Sequence, residues 1–110
     1  MHELSITQSV VDTVCERMPD ATVRRIRLDI GRLSGVVADS VRFCFDLVAE
    51  GTVLDGAVLE IVESPGRARC RACDAEFEVN DLLALCGCGA QELELLAGQE
   101  LMIKEVEVAA

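Results

Sequence analysis

The chain has 110 residues, 51% of them apolar, and ten Lys and Arg against twenty Asp and Glu give a net charge of −10. That balance opposes phosphate backbones, which are bound through clustered cations, and three phenylalanines without Trp or Tyr leave little for base stacking. No apolar run approaches the roughly 20 residues of a membrane span, and the N-terminus lacks the basic region and apolar run of a signal peptide. The expectation is a cytoplasmic protein with neither nucleic-acid nor membrane partners.

Leu4, Val10, Val11, Val14 and Met18 recur at helical spacing, with Ile6 near the same stripe and Glu3, Asp12, Glu16 and Arg17 on other faces. This predicts an amphipathic helix over about 3–18, ended by Pro19 and Asp20. Ile26, Leu28 and Ile30 alternate with Arg25, Arg27 and Asp29, the pattern of a half-buried strand. After a loop from Gly31, Asp39 or Ser40 can cap a second helix, whose buried stripe is Val41, Cys44, Phe45 and Val48. Residues 57–63 are rich in β-branched side chains and read as a second strand. Ser64, Pro65 and Gly66 mark a boundary. Short strands are predicted around Phe77 and Val79 and over 92–96, and a last strand over 101–108, whose imperfect alternation does not show which face is buried. The fold class is α/β of the α+β type. A sheet of about three strands carries two helices (1–65 with 98–110), and a zinc-ribbon-like module (66–97) is inserted into it.

The inserted segment holds four of the six cysteines: Cys70 and Cys73 two residues apart, then Cys86 and Cys88 with only Gly87 between them. Four thiolates so placed suit one tetrahedral Zn²⁺. A segment this short also needs a staple, because below about 40 residues an apolar core alone seldom suffices. Disulfides do not suit a cytosolic chain. A thioredoxin-like pair opens a helix after a strand, which this segment does not resemble. Iron in a rubredoxin-like site uses the same ligands. One intervening residue in an extended chain directs the Cys86 and Cys88 thiols to opposite faces, so a shared metal requires a sharp bend there; Asp74 is the nearest oxygen donor should a thiol fall short. Cys15 and Cys44 lie in helical patterns and read as inert core residues. Arg67, Arg69 and Arg71 around the first pair read as a solvated face.

His2 is the only histidine. A lone histidine near a terminus is usually just solvated, but here it follows the α-amino group of Met1 and precedes Glu3. A terminal amine, the His2 amide nitrogen and its imidazole can close fused chelate rings on one ion, and such donors suit Ni²⁺ or Cu²⁺ in square-planar geometry better than zinc. Glu3 also has a plainer role, since an acid in a first helical turn favours the helix dipole.

The opening Met1-His2-Glu3-Leu4-Ser5-Ile6, then Asp29-Ile30-Gly31-Arg32-Leu33-Ser34-Gly35-Val36, Val41-Arg42-Phe43-Cys44-Phe45-Asp46, the cysteine segment, and Gly98-Gln99-Glu100-Leu101 with residues 103–108 together resemble the HypA/HybF family of hydrogenase nickel-incorporation metallochaperones. The resemblance runs over essentially the whole chain. It implies a nickel site at His2 with Met1 and Glu3 as neighbours, and a separate structural zinc on Cys70, Cys73, Cys86 and Cys88. It implies a non-enzymatic carrier in hydrogenase maturation, with an accessory GTPase and the hydrogenase large-subunit precursor as partners and, in some members, urease maturation proteins. The family's second cysteine pair usually has two intervening residues, where this sequence has Gly87 alone. Oligomeric state is not legible. The rival reading is a zinc-ribbon interaction or nucleic-acid-binding module without nickel delivery, which the net charge opposes.

Overall fold

The computed structural model describes residues 2–81 and 85–109 of the chain. Its elements run α1 (His2–Arg17), β1 (Val23–Gly31), α2 (Ala38–Ala49), β2 (Val58–Ser64), β3 (Gly66–Cys70), β4 (Glu76–Val79), β5 (Leu93–Ala97) and β6 (Leu101–Val108). They form two three-stranded sheets, ordered β2-β1-β6 and β4-β3-β5. In the first, β1 is central, parallel to β2 and antiparallel to β6. The parallel pair requires a crossover, which α2 provides. The chain then leaves this sheet at Ser64, builds the second, and returns after Ala97.

Ile26, Leu28 and Ile30 are fully buried on the face of β1 that meets the helices, as their alternation predicts. They join Val10, Val11 and Val14 of α1 and Val41, Phe45 and Ala49 of α2 in one core. The puzzle of β6 resolves into a bulge. Arg27 pairs with Glu105 but Leu28 pairs with Ile103, so Lys104 is an extra residue. One inserted residue reverses the alternation, and Leu101, Ile103 and Val106 all face the core despite their uneven spacing. On the opposite face Arg25 lies 2.6 Å from Glu60, 3.3 Å from Glu105 and 3.2 Å from Glu107, which sets one cation among three acids on the two strands that flank β1.

Three expectations need correction. Leu4 is not in the buried stripe of α1 but half-exposed, and Glu3 and Thr7 take the inward positions. The reason is local: the first turn of α1 meets the loop that follows β1, where Glu3 accepts a hydrogen bond from the Val37 N–H. Neither Asp39 nor Ser40 caps α2; the cap residue is Val37, in extended conformation with no side-chain hydrogen bond. Pro65 separates β2 from β3 by a single residue, so the boundary is a change of sheet within an almost continuous strand, and β3 was not foreseen. The run Gly66-Arg67-Ala68-Arg69-Cys70 does alternate, but its inward residues are too small to read as an apolar face.

Candidate metal centres

The four cysteines of the second sheet converge. Cys70 ends β3, and its N–H donates to the Ala75 carbonyl at 2.9 Å while its carbonyl accepts from Asp74 N–H at 2.9 Å. That tight turn, with Asp74 at φ 62°, brings Cys73 back over Cys70. Asp turns more easily than most residues into this left-handed region because its short polar side chain bonds locally. The second pair makes the sharp bend that its single spacer demands. Gly89 N–H donates to the Cys86 carbonyl at 2.9 Å and Cys86 N–H to the Ala90 carbonyl at 3.3 Å, closing a turn over 86–89. Cys88 N–H points at Cys86 Sγ, 3.5 Å away.

The sulfurs of Cys70, Cys73, Cys86 and Cys88 all lie within 4.8 Å of one another. Cys70 and Cys88 are 3.6 Å apart, as are Cys73 and Cys86. A disulfide would place two sulfurs at about 2.05 Å. A tetrahedron whose centre sits about 2.3 Å from each vertex has edges of ~3.8 Å. The spacing therefore fits four ligands of one zinc-sized ion. Asp74 serves the turn, and all four donors are thiols.

The ionisation of the cluster supports the same reading. N–H groups of Cys73 and Ala72, with the thiols of Cys88 and Cys73, lower Cys70 to about 7 against the opposition of burial. For Cys86, the Cys88 N–H favours the thiolate. The neighbouring Cys88 thiol, burial, and the thiols of Cys73 and Cys70 outweigh it and push Cys86 up to about 12. The first thiolate to form thus makes the next ones costly. Four can coexist only around a cation, which removes the mutual repulsion.

At the other end of the chain, His2 opens α1 and Glu3 follows it inward. The His2 side chain is 59% exposed and that of Glu3 only 11%. His2 Nε2 and Glu3 Oε2 are 3.8 Å apart. Glu3 Oε2 accepts the Val37 N–H at 3.3 Å, which ties the first turn of α1 to the residue that caps α2. That N–H, and next the N–H of Glu3 itself, hold its carboxyl below the usual value against a smaller cost of burial, with His2 adding to the effect. Met1, the third residue expected here, lies outside the described residues. The inward placement of Glu3 is what sequence reasoning missed. The signal was its spacing to Thr7, Val10 and Val14, which a scan for apolar residues alone passes over.

A consequence for stability follows from the lowered carboxyl. A depressed folded value makes the ionised form the stabilising one, so the contribution of Glu3 is complete above its ordinary value of 4.5 and fades as pH falls through the folded value. Glu3→Gln should therefore lower the melting temperature near neutrality, and the gap to wild type should close in acid. A gap that persists unchanged at low pH would show that packing, not charge, is what Glu3 supplies.

Of the other sulfurs, Cys15 is half-buried against the main core, whereas Cys44 is half-buried on the outer side of α2 and lines a surface groove. Arg69 pairs with Glu76 at 3.6 Å and Glu94 at 3.5 Å across the second sheet, and so belongs to a solvated face.

Residues 1–108 match the family described as hydrogenase/urease nickel incorporation, metallochaperone, hypA. The chain is 52% identical over 108 residues to the hydrogenase maturation factor HypA of Trichormus variabilis, covering 98% of this chain and 96% of that one. It is 46% identical over 110 residues to the protein of the same name from Geobacter metallireducens, covering 98% and 99%. In fold it resembles the solution structure of the Ni metallochaperone HypA from Helicobacter pylori, with a TM-score of 0.71 over 100% of this chain and 99% of that one, at 24% identity.

Proposed function

Because this chain belongs to the HypA family of hydrogenase and urease nickel-incorporation metallochaperones, we propose that it carries nickel for the maturation of a nickel–iron hydrogenase. In this reading the cargo is held by Met1, His2 and Glu3, and a structural zinc is held by Cys70, Cys73, Cys86 and Cys88. The protein works as a carrier and not as an enzyme. Its partners are an accessory GTPase of the same pathway and the precursor of the hydrogenase large subunit, with urease maturation proteins as further recipients in part of the family.

The observation that carries the proposal is the division of the donors into two kinds of site. The thiols form a closed set of four, two of them buried, whose ion is part of the local fold. Four thiolates leave no open position on a tetrahedral ion, which suits a staple and not a delivery site. The N-terminal donors are the reverse. An anchored carboxylate lies beside an exposed imidazole, so a partner can reach the ion and displace a ligand. Protons and a partner's donors compete with the ion for such ligands, so cargo held this way is released as pH falls or as a partner binds. Zinc in the second sheet supplies folding energy.

Metal analysis and nickel titration of the untagged protein test this directly, beside His2→Ala and a form with an N-terminal extension. One zinc is expected in all three, with nickel bound by the untagged wild type alone. Glu3→Gln is expected to keep the zinc and to lower nickel affinity by roughly 10–100-fold, the usual effect of removing a group that orients a ligand. Equal nickel binding by His2→Ala and wild type would overturn the assignment.

A further inference from the structure

The outer side of the helix pair carries an apolar surface that its own fold does not use. Helix α2 buries Val41, Phe45 and Ala49, which completes a core-facing stripe. Phe43 and Leu47, one turn apart, form a second stripe on the other side and are 71% and 60% exposed. Leu4 of α1, 51% exposed, lies across from them. These three, with Cys44, line a groove of about 480 Å³ between the helices. Isolated exposed apolar residues are ordinary. A contiguous set that includes one of the chain's three aromatics marks a contact surface.

Charge decides among the occupants. Asp39, Asp46 and Glu50, all exposed, follow one another at helical spacing beside Phe43 and Leu47, and Glu3 and Asp39 line the groove itself. Arg42 bonds Asp39 at 2.8 Å and offsets only that one acid. A second copy would bring the same acidic rim and another net charge of −10 against it. An anionic membrane surface is repelled in the same way. The groove lies between two helices, and a helix with apolar residues at i, i+3, i+4 and i+7 is the shape that fills such a site. Basic residues along that helix's flanks would meet the rim.

We propose that the groove lined by Leu4, Phe43 and Leu47 docks a basic amphipathic helix of the protein to which the metal passes. Glu3 lies at the groove's edge, so the docked helix sits against the start of α1. Its role in transfer rests on the nickel assignment above, but docking itself does not.

The test uses a fluorescein-labelled synthetic peptide of leucine and lysine, with leucines at i, i+3, i+4 and i+7, and a leucine–glutamate peptide of the same pattern. Anisotropy titrations of metal-loaded wild type, Phe43→Ser, Leu47→Ser and Met102→Ser are read together with amide-shift mapping of the wild type. Binding of the basic peptide alone is expected, weakened about tenfold or more by each of the two α2 variants, unchanged by Met102→Ser on the open sheet face, and mapped to the outer side of α1 and α2. Equal affinity for Phe43→Ser and wild type, or shifts confined to the sheet face, would overturn the proposal. So would a dimer in sedimentation that Phe43→Ser abolishes, because it would place a second copy in the groove. No arm measures nickel, so its failure and that of the His2→Ala test are separable.

Discussion

Metal-free protein, or protein with Cys86→Ser, is expected to lose the order of the sheet β4-β3-β5 while the helices and the sheet β2-β1-β6 stay folded. The two sheets differ sharply in apolar support. Among the described residues, eleven buried ones make the core under the first sheet, and three (Leu33, Ala68 and Val79) make that of the second. Ordering a residue costs roughly 1–2 kcal/mol, which so small a cluster does not return. A structural zinc supplies about 10–16 kcal/mol as folding energy. The thiols cannot replace it among themselves, because the Cys88 thiol, burial and the thiols of Cys73 and Cys70 push Cys86 up to about 12 and keep it from ionising beside its neighbours without a cation. Amide exchange followed by NMR after chelation is the measurement. Protection should vanish in β3, β4 and β5 and persist at Ile26, Leu28 and Ile30. Protection retained in β3 and β5 without metal would show that the second sheet holds itself together. Acid should act as the chelator does, since protons compete with the ion for thiolate.

The parts of this molecule legible in its sequence are those where a single physical demand sets the residues. Ile26, Leu28 and Ile30 had only to bury one face of a central strand, and their alternation said so. The four cysteines had only to converge on one point, and their grouping said so. What escaped was set by two demands at once. Glu3 is a charged residue on an inward-facing position, so a pattern of apolar residues assigned that position to Leu4. Its reason for being there is the Val37 N–H, 34 residues away, which local pattern cannot reveal. β6 pairs with β1 through a bulge at Lys104, and a bulge makes a regular strand look irregular in sequence. The turn over Cys86 and Cys88 looked like an obstacle for the opposite reason: a spacing rule drawn from extended chain was applied to a segment whose backbone bonds close on themselves. Phe43 and Leu47 were legible as residues but not as a surface, because exposure is a property of what the rest of the fold leaves uncovered.

The largest effect outside the metal sites is expected where the two sheets meet. Gly31 ends β1, Gly66 begins β3 and Gly98 follows β5, and the three backbones are in direct contact. A Cβ at Gly31 would overlap the Gly98 carbonyl, and one at Gly98 would overlap the Cα of Gly66. Hydrogen bonds run through the same point: Gly31 N–H to the Glu100 carbonyl at 2.8 Å, Arg32 N–H to Ser64 at 2.9 Å and Leu33 N–H to Gly98 at 2.7 Å. The close approach lets the loop after β1 carry Leu33 into the core of the second sheet while the same loop, at Val37, holds Glu3. Gly98→Ala faces two penalties. A side chain at φ 105° strains the backbone by roughly 1–3 kcal/mol, and overpacking against backbone that cannot rotate away adds about 1–3 kcal/mol more. Gly56→Ala is the control, since Gly56 has φ 78° and open space around it, so it bears the first penalty alone. Denaturant melts should show Gly98→Ala losing about twice as much stability as Gly56→Ala. Leu33→Ala, which leaves the backbone contact intact and empties the core position, should cost roughly 2–5 kcal/mol and reduce exchange protection in β3 before β1. Equal losses for the two glycine variants would mean that the junction gives way and that the contact among Gly31, Gly66 and Gly98 does not fix how the sheets are joined.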